Sequence, residues 1–375
     1  MVRIILIYGI AISFILLKLR QPFFSVNQEF IGQIFSLFSA LYVCIFFFEV
    51  YRNKHGFYII LYSIISLLSL YFIQHESFSV IFSYISPLFI ICSCYNKNDN
   101  KYLKPLSFLF ISLFVLNGAI SLYERLTETY IMEPDANDKV LMYQMNYGIE
   151  ESANFRSFAL FGHPLTNSNI MASMSFMFLY NNRIPDKVRF AFAALGFASL
   201  FCFNSRATII ISGLLLIPFL VKYYKYEVRR KFVFWCCIIC IFTMLISNFS
   251  TYAGRLASGD IVDESAMARL ATVYAFMNLS LSELIVGGNM DIMNENGYLA
   301  IIAWYGLIIG LLKIVLEIRF AYVFVRNDNR LTKFLIMSSL ILIGSTNNNL
   351  AYPIVFPMYI MSLLFVNNIS LKDNQ

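Results

Sequence analysis

A chain of 375 residues with 59% hydrophobic side chains, 17% aromatics and only 13% charged residues has too little polar surface for a water-soluble globule. Its mean hydropathy of +0.68 agrees. The formal charge of +6 does not call for a nucleic-acid partner, because the basic residues sort to one side of the apolar segments. The expected fold is all-α: one integral membrane domain over residues 1–375 with about twelve transmembrane helices, each needing roughly 20 apolar residues to cross a bilayer core.

In chain order the spans are expected at 2–18, 29–50, 57–73, 79–95, 106–123, 168–182, 190–203, 207–221, 232–249, 297–320, 334–350 and 352–368. The first run is followed by "KLRQPFF" and not by a small-residue cleavage site, so it reads as a retained span and not a signal peptide. With a cytoplasmic N-terminus, 19 of the 28 basic residues fall inside and 8 outside, with Lys313 near a helix end, while 15 of the 22 acids fall outside. Both termini are therefore expected to be cytoplasmic. All seven cysteines lie within or at the ends of spans; "CCIIC" has no second cluster to close a metal site, and its thiols read as small apolar fillers. Lys313 and Glu317, four apart in the tenth span, read as an internal ion pair.

Two long loops remain, both outside: 124–167, which is acidic and polar, and 250–295. Within the second, residues 266–286 carry Met267, Leu270, Ala271, Tyr274, Met277 and Leu281 at helical spacing. Two readings fit that pattern: an amphipathic helix lying on the outer membrane face, and a plain packing helix.

Between Phe190 and Val221 the single charge is Arg206, in "FCFNSRATII". As one helix those 32 residues are too long for one span, and as two they leave almost no loop. A tight helical hairpin with "NSR" at its outer tip satisfies both limits, with Asn204 or Ser205 capping the second helix. Arg206 then stands at the outer surface, where it serves a ligand or snorkels to lipid headgroups.

Further polar residues collect at the same edge. "FRSFALFGHPLTNSNIMA" sets Arg156, His163, Asn167 and Asn169 where the first loop meets the sixth span. Arg269 follows in the second loop, then "IVGGNMDIMNENGYLAIIAWYGLIIGLL", where a Gly pair, Asp291, Glu295 and Asn296 lead into the tenth span. "STNNNLAYP" ends the eleventh span with three amides, Asn348 among them. This ordered set, over about residues 150 to 315, resembles the O-antigen polymerase and O-antigen ligase family, bacterial inner-membrane glycosyltransferases. One departure stands out: where many members carry a histidine before the asparagine that opens the tenth span, this chain has Glu295.

The resemblance implies an enzyme of the inner (cytoplasmic) membrane whose two long loops and active site are periplasmic. Its donor would be an oligosaccharide on undecaprenyl pyrophosphate, and its acceptor a sugar hydroxyl on another lipid-linked glycan. Charge develops on the pyrophosphate as the anomeric bond breaks, and a guanidinium fork suits phosphate oxygens. Arg206, Arg269 and Arg156 are the candidates for binding it. The base for the acceptor hydroxyl is expected among Glu295, Asp291 and His163, although a solvated acid at a helix start and a loop-packing histidine explain Glu295 and His163 equally simply. Asn167, Asn169, Asn296 and Asn348 are candidates for glycan hydroxyls. No cofactor is expected, and no metal site, since "DIVDE" is the nearest approach to clustered acids. Membrane lipid, a chain-length regulator and a flippase of the same pathway are the further partners implied. Polymerase is preferred over ligase because of the missing histidine and the long first loop. A lipid-linked glycan flippase is the rival from another class, but the two halves share no repeat and the charges sit at one edge, which favours surface chemistry.

Overall fold

The computed structural model of the protein describes residues 1–18, 28–68, 71, 78–94, 100–131, 155–161, 164–181, 184–224, 264–288, 297–324, 330, 333–334 and 336–338. These residues form helices and connecting turns, with no strand among them. The helices are α1 (Val2–Lys18), α2 (Gln28–Tyr51), α3 (Gly56–Leu68), α4 (Phe78–Cys94), α5 (Asn100–Thr127), α6 (Pro164–Tyr180), α7 (Asp186–Cys202), α8 (Arg206–Tyr224), α9 (Glu264–Met277), α10 (Leu281–Val286), α11 (Gly297–Tyr305) and α12 (Leu307–Phe324). Two stretches, Glu29–Tyr51 and Lys104–Thr127, are long and apolar enough to cross a membrane; Val2–Leu17, Gly56–Leu68, Ile85–Cys94 and Ala207–Ile217 are apolar but shorter. The spans expected at 232–249 and 352–368, and that at 334–350 apart from 334 and 336–338, lie outside the described residues.

The helix ends follow from local chemistry. α2 stops where Arg52, Asn53 and Lys54 interrupt its apolar run; Asn53 closes the turn by accepting the Gly56 N–H at 2.8 Å and donates its side-chain amide to the Cys92 carbonyl at 3.2 Å. That bond ties the end of α4 to the α2–α3 turn. An ion pair between Arg3 and Glu49 joins the start of α1 to the end of α2, with the Arg3 guanidinium also over the Phe46 ring. Arg319, near the end of α12, lies 3.7 Å from the Tyr58 ring centroid. Arg3, Arg52, Lys54 and Arg319 thus gather at one end of the bundle.

α5, α6 and α7 form its second group. Phe114 packs against Phe178 and Phe192, and Gly196 lets α7 approach so closely that a Cβ there would lie 1.7 Å from the Ser175 hydroxyl oxygen. The tenth expected span, 297–320, needs correction. It is two helices, broken at Gly306, whose φ of 79° is a left-handed conformation that side chains resist. The chain turns so sharply there that a Cβ on Gly310 would lie 3.0 Å from the Ile302 Cα. The break is a docking point: the Gly288 N–H donates to the Trp304 carbonyl at 2.9 Å, and Gly287 packs backbone to backbone on Gly306.

Around an apolar core, several polar side chains are buried and many large apolar ones are exposed. Ser39, Ser86, Asn117, Ser121, Glu124, Lys313 and Glu317 are buried, while Phe48 is 72% exposed, Ile308 69% and Leu214 61%. Ser86 donates to Ser39 between α4 and α2 at 3.1 Å. Glu317 pairs with Lys313 and also accepts the Tyr62 hydroxyl at 2.8 Å, with the Lys313 ammonium near the Tyr62 and Tyr305 rings. These buried polar groups find their partners inside the bundle, as burial away from water requires.

Candidate functional site

The polar corner of the molecule begins on α5. Asn117, Ser121 and Glu124 recur at intervals of four and three along an apolar helix and so share a face. That face binds the backbone of the segment 155–161. Glu124 Oε2 accepts the Ser157 hydroxyl at 2.6 Å and the N–H groups of Phe158 and Ala159, each at 3.0 Å; its Oε1 accepts the Ile131 N–H at 3.2 Å. Asn117 Oδ1 accepts the Leu160 N–H at 2.9 Å, and Arg125 Nη1 donates to the Phe155 carbonyl at 2.8 Å. Glu124 is fully buried, and a buried carboxylate is tolerated where its oxygens are saturated with donors in this way. The loop expected to open at Glu124 therefore starts later, since α5 continues to Thr127.

Two more helices close on the same segment. Asn167, on α6, donates its amide to the Phe158 carbonyl at 2.8 Å, and the Ser157 N–H donates to the carbonyl of Cys202, the last residue of α7, at 2.9 Å. Ala159 is held at a φ of 42°, a left-handed conformation costing an alanine about 1–2 kcal/mol. The donors satisfied around it offset that cost.

The hairpin expected at "NSR" is present. α7 ends at Cys202 and α8 begins at Arg206. Asn204 takes the left-handed turn position, φ 50°, which asparagine tolerates better than most side chains. Ser205 precedes the helix: its carbonyl accepts the Ile209 N–H at 3.0 Å and its hydroxyl lies 2.9 Å from that of Thr208. Thr208 in turn donates to Asn169 Oδ1 at 3.3 Å and lies 3.3 Å from the Ser168 hydroxyl, so the start of α8 is fastened to α6.

Of the residues expected at the site, Arg156, Asn167, Asn169 and the backbone of Arg206 come together here. Arg156 is half-buried between two anchored neighbours, and the Ser157–Cys202 bond brings its segment within four residues of Arg206. Asn167 and Asn169, expected to face a glycan, are 0% and 1% exposed, and their amides serve internal bonds that brace the segment and α8. Arg269 lies in the second turn of α9. His163, Asp291, Glu295, Asn296 and Asn348 lie outside the described residues. Glu124, Arg125, Asn117 and Thr208 were not anticipated; the spacing of Asn117, Ser121 and Glu124 in an apolar run was the signal for the first of these.

The expected helix over 266–286 is two helices. α10 starts at a capping box in which Ser280 accepts the Glu283 N–H and the Glu283 carboxylate accepts the Ser280 N–H at 2.8 Å and its hydroxyl at 2.7 Å. Those bonds hold the Glu283 carboxyl below the ordinary carboxylate range. Leu270, Tyr274, Met277, Leu281 and Ile285 are exposed along α9 and α10, while Phe276 and Leu279 pack against the core. Among the described residues no three His, Cys, Asp or Glu side chains cluster. A groove beside Glu29, Gln33, Ser36 and Phe82 lies on another part of the molecule.

A cation at the first position of a helix opposes the helix dipole, and α8 sets Arg206 there. The Arg156 segment lies near that helix start, with the buried Glu124 and Arg125 holding it from the other side. A scan against protein-family models and a search of curated proteins return no match to the chain.

Proposed function

We propose that the protein is an O-antigen (surface polysaccharide) polymerase of the bacterial inner membrane. It joins repeat units carried on undecaprenyl pyrophosphate at the periplasmic face and needs no cofactor. The observation that supports this reading is the bond from Ser157 to Cys202, which brings the backbone of the Arg156 segment to the end of α7, four residues before Arg206. The ordered sequence motifs supply the reaction class, and the apolar exterior with its buried polar residues supports a bilayer as the solvent. The gathering of Arg3, Arg52, Lys54 and Arg319 at one end supports a cytoplasmic end, with the arginine corner at the other.

In the reaction the acceptor hydroxyl attacks the anomeric carbon of the donor glycan. The bond from that carbon to the pyrophosphate oxygen breaks, and undecaprenyl pyrophosphate leaves with the electron pair. Arg206 and Arg156, with Arg269, stabilise the charge that grows on the leaving group. Glu295, or Asp291 or His163, accepts the hydroxyl proton.

The test is deletion of the gene in its host, with the extracted surface glycolipid resolved on a gel and intact and Arg206→Ala copies supplied on a plasmid. Lipid A-core bearing a single repeat, with the ladder restored by the intact copy alone, is the expected result. Bare core with long chains on the carrier would assign the ligase reaction instead, and an unchanged ladder would overturn both.

A further inference from the structure

The side chain that does most to build the corner is Glu124, an acid that never reaches the surface. Its carboxylate accepts four hydrogen bonds: three from consecutive residues 157–159 and one from Ile131. Arg125, the next residue, holds the Phe155 carbonyl. The backbone on both sides of Arg156 is thereby fixed to α5, and Ser157 fixes it again to the end of α7. The segment has no regular secondary structure to stiffen it, so these side-chain bonds determine where the Arg156 Cα stands. Binding a diphosphate between two arginines requires both at fixed separation, and displacement by about 1 Å can cost on the order of a hundredfold in rate.

We infer that Glu124 is a positioning residue: it holds the backbone of the Arg156 segment against α5 and beside the end of α7, so that Arg156 meets a diphosphate in one place, without touching the substrate itself. This rests on the polymerase reading above. A glutamine at 124 can still offer one oxygen to the residues at 157–159, but its NH2 group meets the Ile131 N–H, donor against donor. Serine 157 gives a gentler probe, because Ser157→Ala removes one donor and leaves the carboxylate in place.

The experiment uses the full-length protein purified in detergent, with farnesyl diphosphate as the binding probe and amide hydrogen exchange as the structural one. Glu124→Gln and Ser157→Ala are each expected to speed exchange at residues 157–160 and to weaken farnesyl diphosphate binding by about tenfold. Arg156→Ala is expected to weaken binding at least as much, and Glu124→Gln added to Arg156→Ala to weaken it no further. Should Glu124→Gln not fold, Ser157→Ala alone and in the Arg156→Ala background decides the matter. Unchanged exchange, faster exchange with unchanged binding, or additive losses in the double variant would each overturn the inference while leaving the polymerase reading intact. Wild-type protein that binds no farnesyl diphosphate would overturn that reading and the inference together.

Discussion

Lys313 and Glu317 show what single residues contribute to this protein. At 1% and 6% exposure they form a buried ion pair whose carboxylate also takes the Tyr62 hydroxyl. Breaking such a pair leaves one uncompensated charge in a low-dielectric interior and typically costs about 3–5 kcal/mol, whereas replacing both partners with apolar residues is often neutral. Lys313→Met is therefore expected to lower the thermal midpoint of the detergent-solubilised protein sharply, and Lys313→Met with Glu317→Leu to recover most of the loss. A second prediction concerns Arg206. Because a guanidinium grips two phosphate oxygens at once and an ammonium does not, Arg206→Lys keeps the charge but loses the fork. Plasmid-borne Arg206→Lys is expected to yield a much fainter glycolipid ladder than the intact copy at equal protein level. A full ladder would reduce the arginine to a point charge.

At the scale of helices, much was legible because an apolar run ends where water-seeking residues interrupt it. The expected spans at 2–18, 29–50, 190–203 and 207–221 match α1, α2, α7 and α8 within a few residues at each end. What could not be read was backbone conformation. A glycine inside "AWYGLIIG" looks like a small packing residue, and nothing local announces the left-handed turn at Gly306 that splits the span. Its cause lies in another part of the chain, in the approach of Gly287 and Ile285. Gly306→Ala is expected to destabilise the fold by at least about 1–2 kcal/mol from backbone strain alone, with added cost because the new Cβ would lie 2.2 Å from the Ile285 carbonyl oxygen. Equal melting temperatures for the two proteins would contradict the docking of α10 on the break.

The division between α9 and α10, by contrast, was available: "SLSE", Ser280 to Glu283, has the spacing of a capping box, and the continuous apolar stripe obscured it. Glu283 also yields a pH prediction. Its folded value is lowered, so its contribution is present above the ordinary carboxylate value and is lost as pH falls through the lower folded value. The melting temperatures of wild type and Glu283→Gln should therefore differ at neutral pH and converge in acid; a gap independent of pH would assign the effect to something other than the carboxylate.

For the whole molecule, the outward apolar surface and inward polar groups predict retention in the membrane fraction through alkaline carbonate extraction. Release into the supernatant would overturn the bilayer reading. Alkaline phosphatase fused after Thr127 should be active and fused after Arg52 inactive, as expected if the two ends of the bundle face opposite compartments.

The four bonds on Glu124 have a consequence for how such a chain can diversify. Ile131 is held by one carboxylate oxygen and Ser157 to Ala159 by the other, so both ends of the stretch between them are stapled at one point. Loop closure grows only slowly with length, about 0.6 kcal/mol per doubling. A change in the number of residues between Ile131 and Ser157 is therefore expected to leave these four bonds in place at little thermodynamic cost.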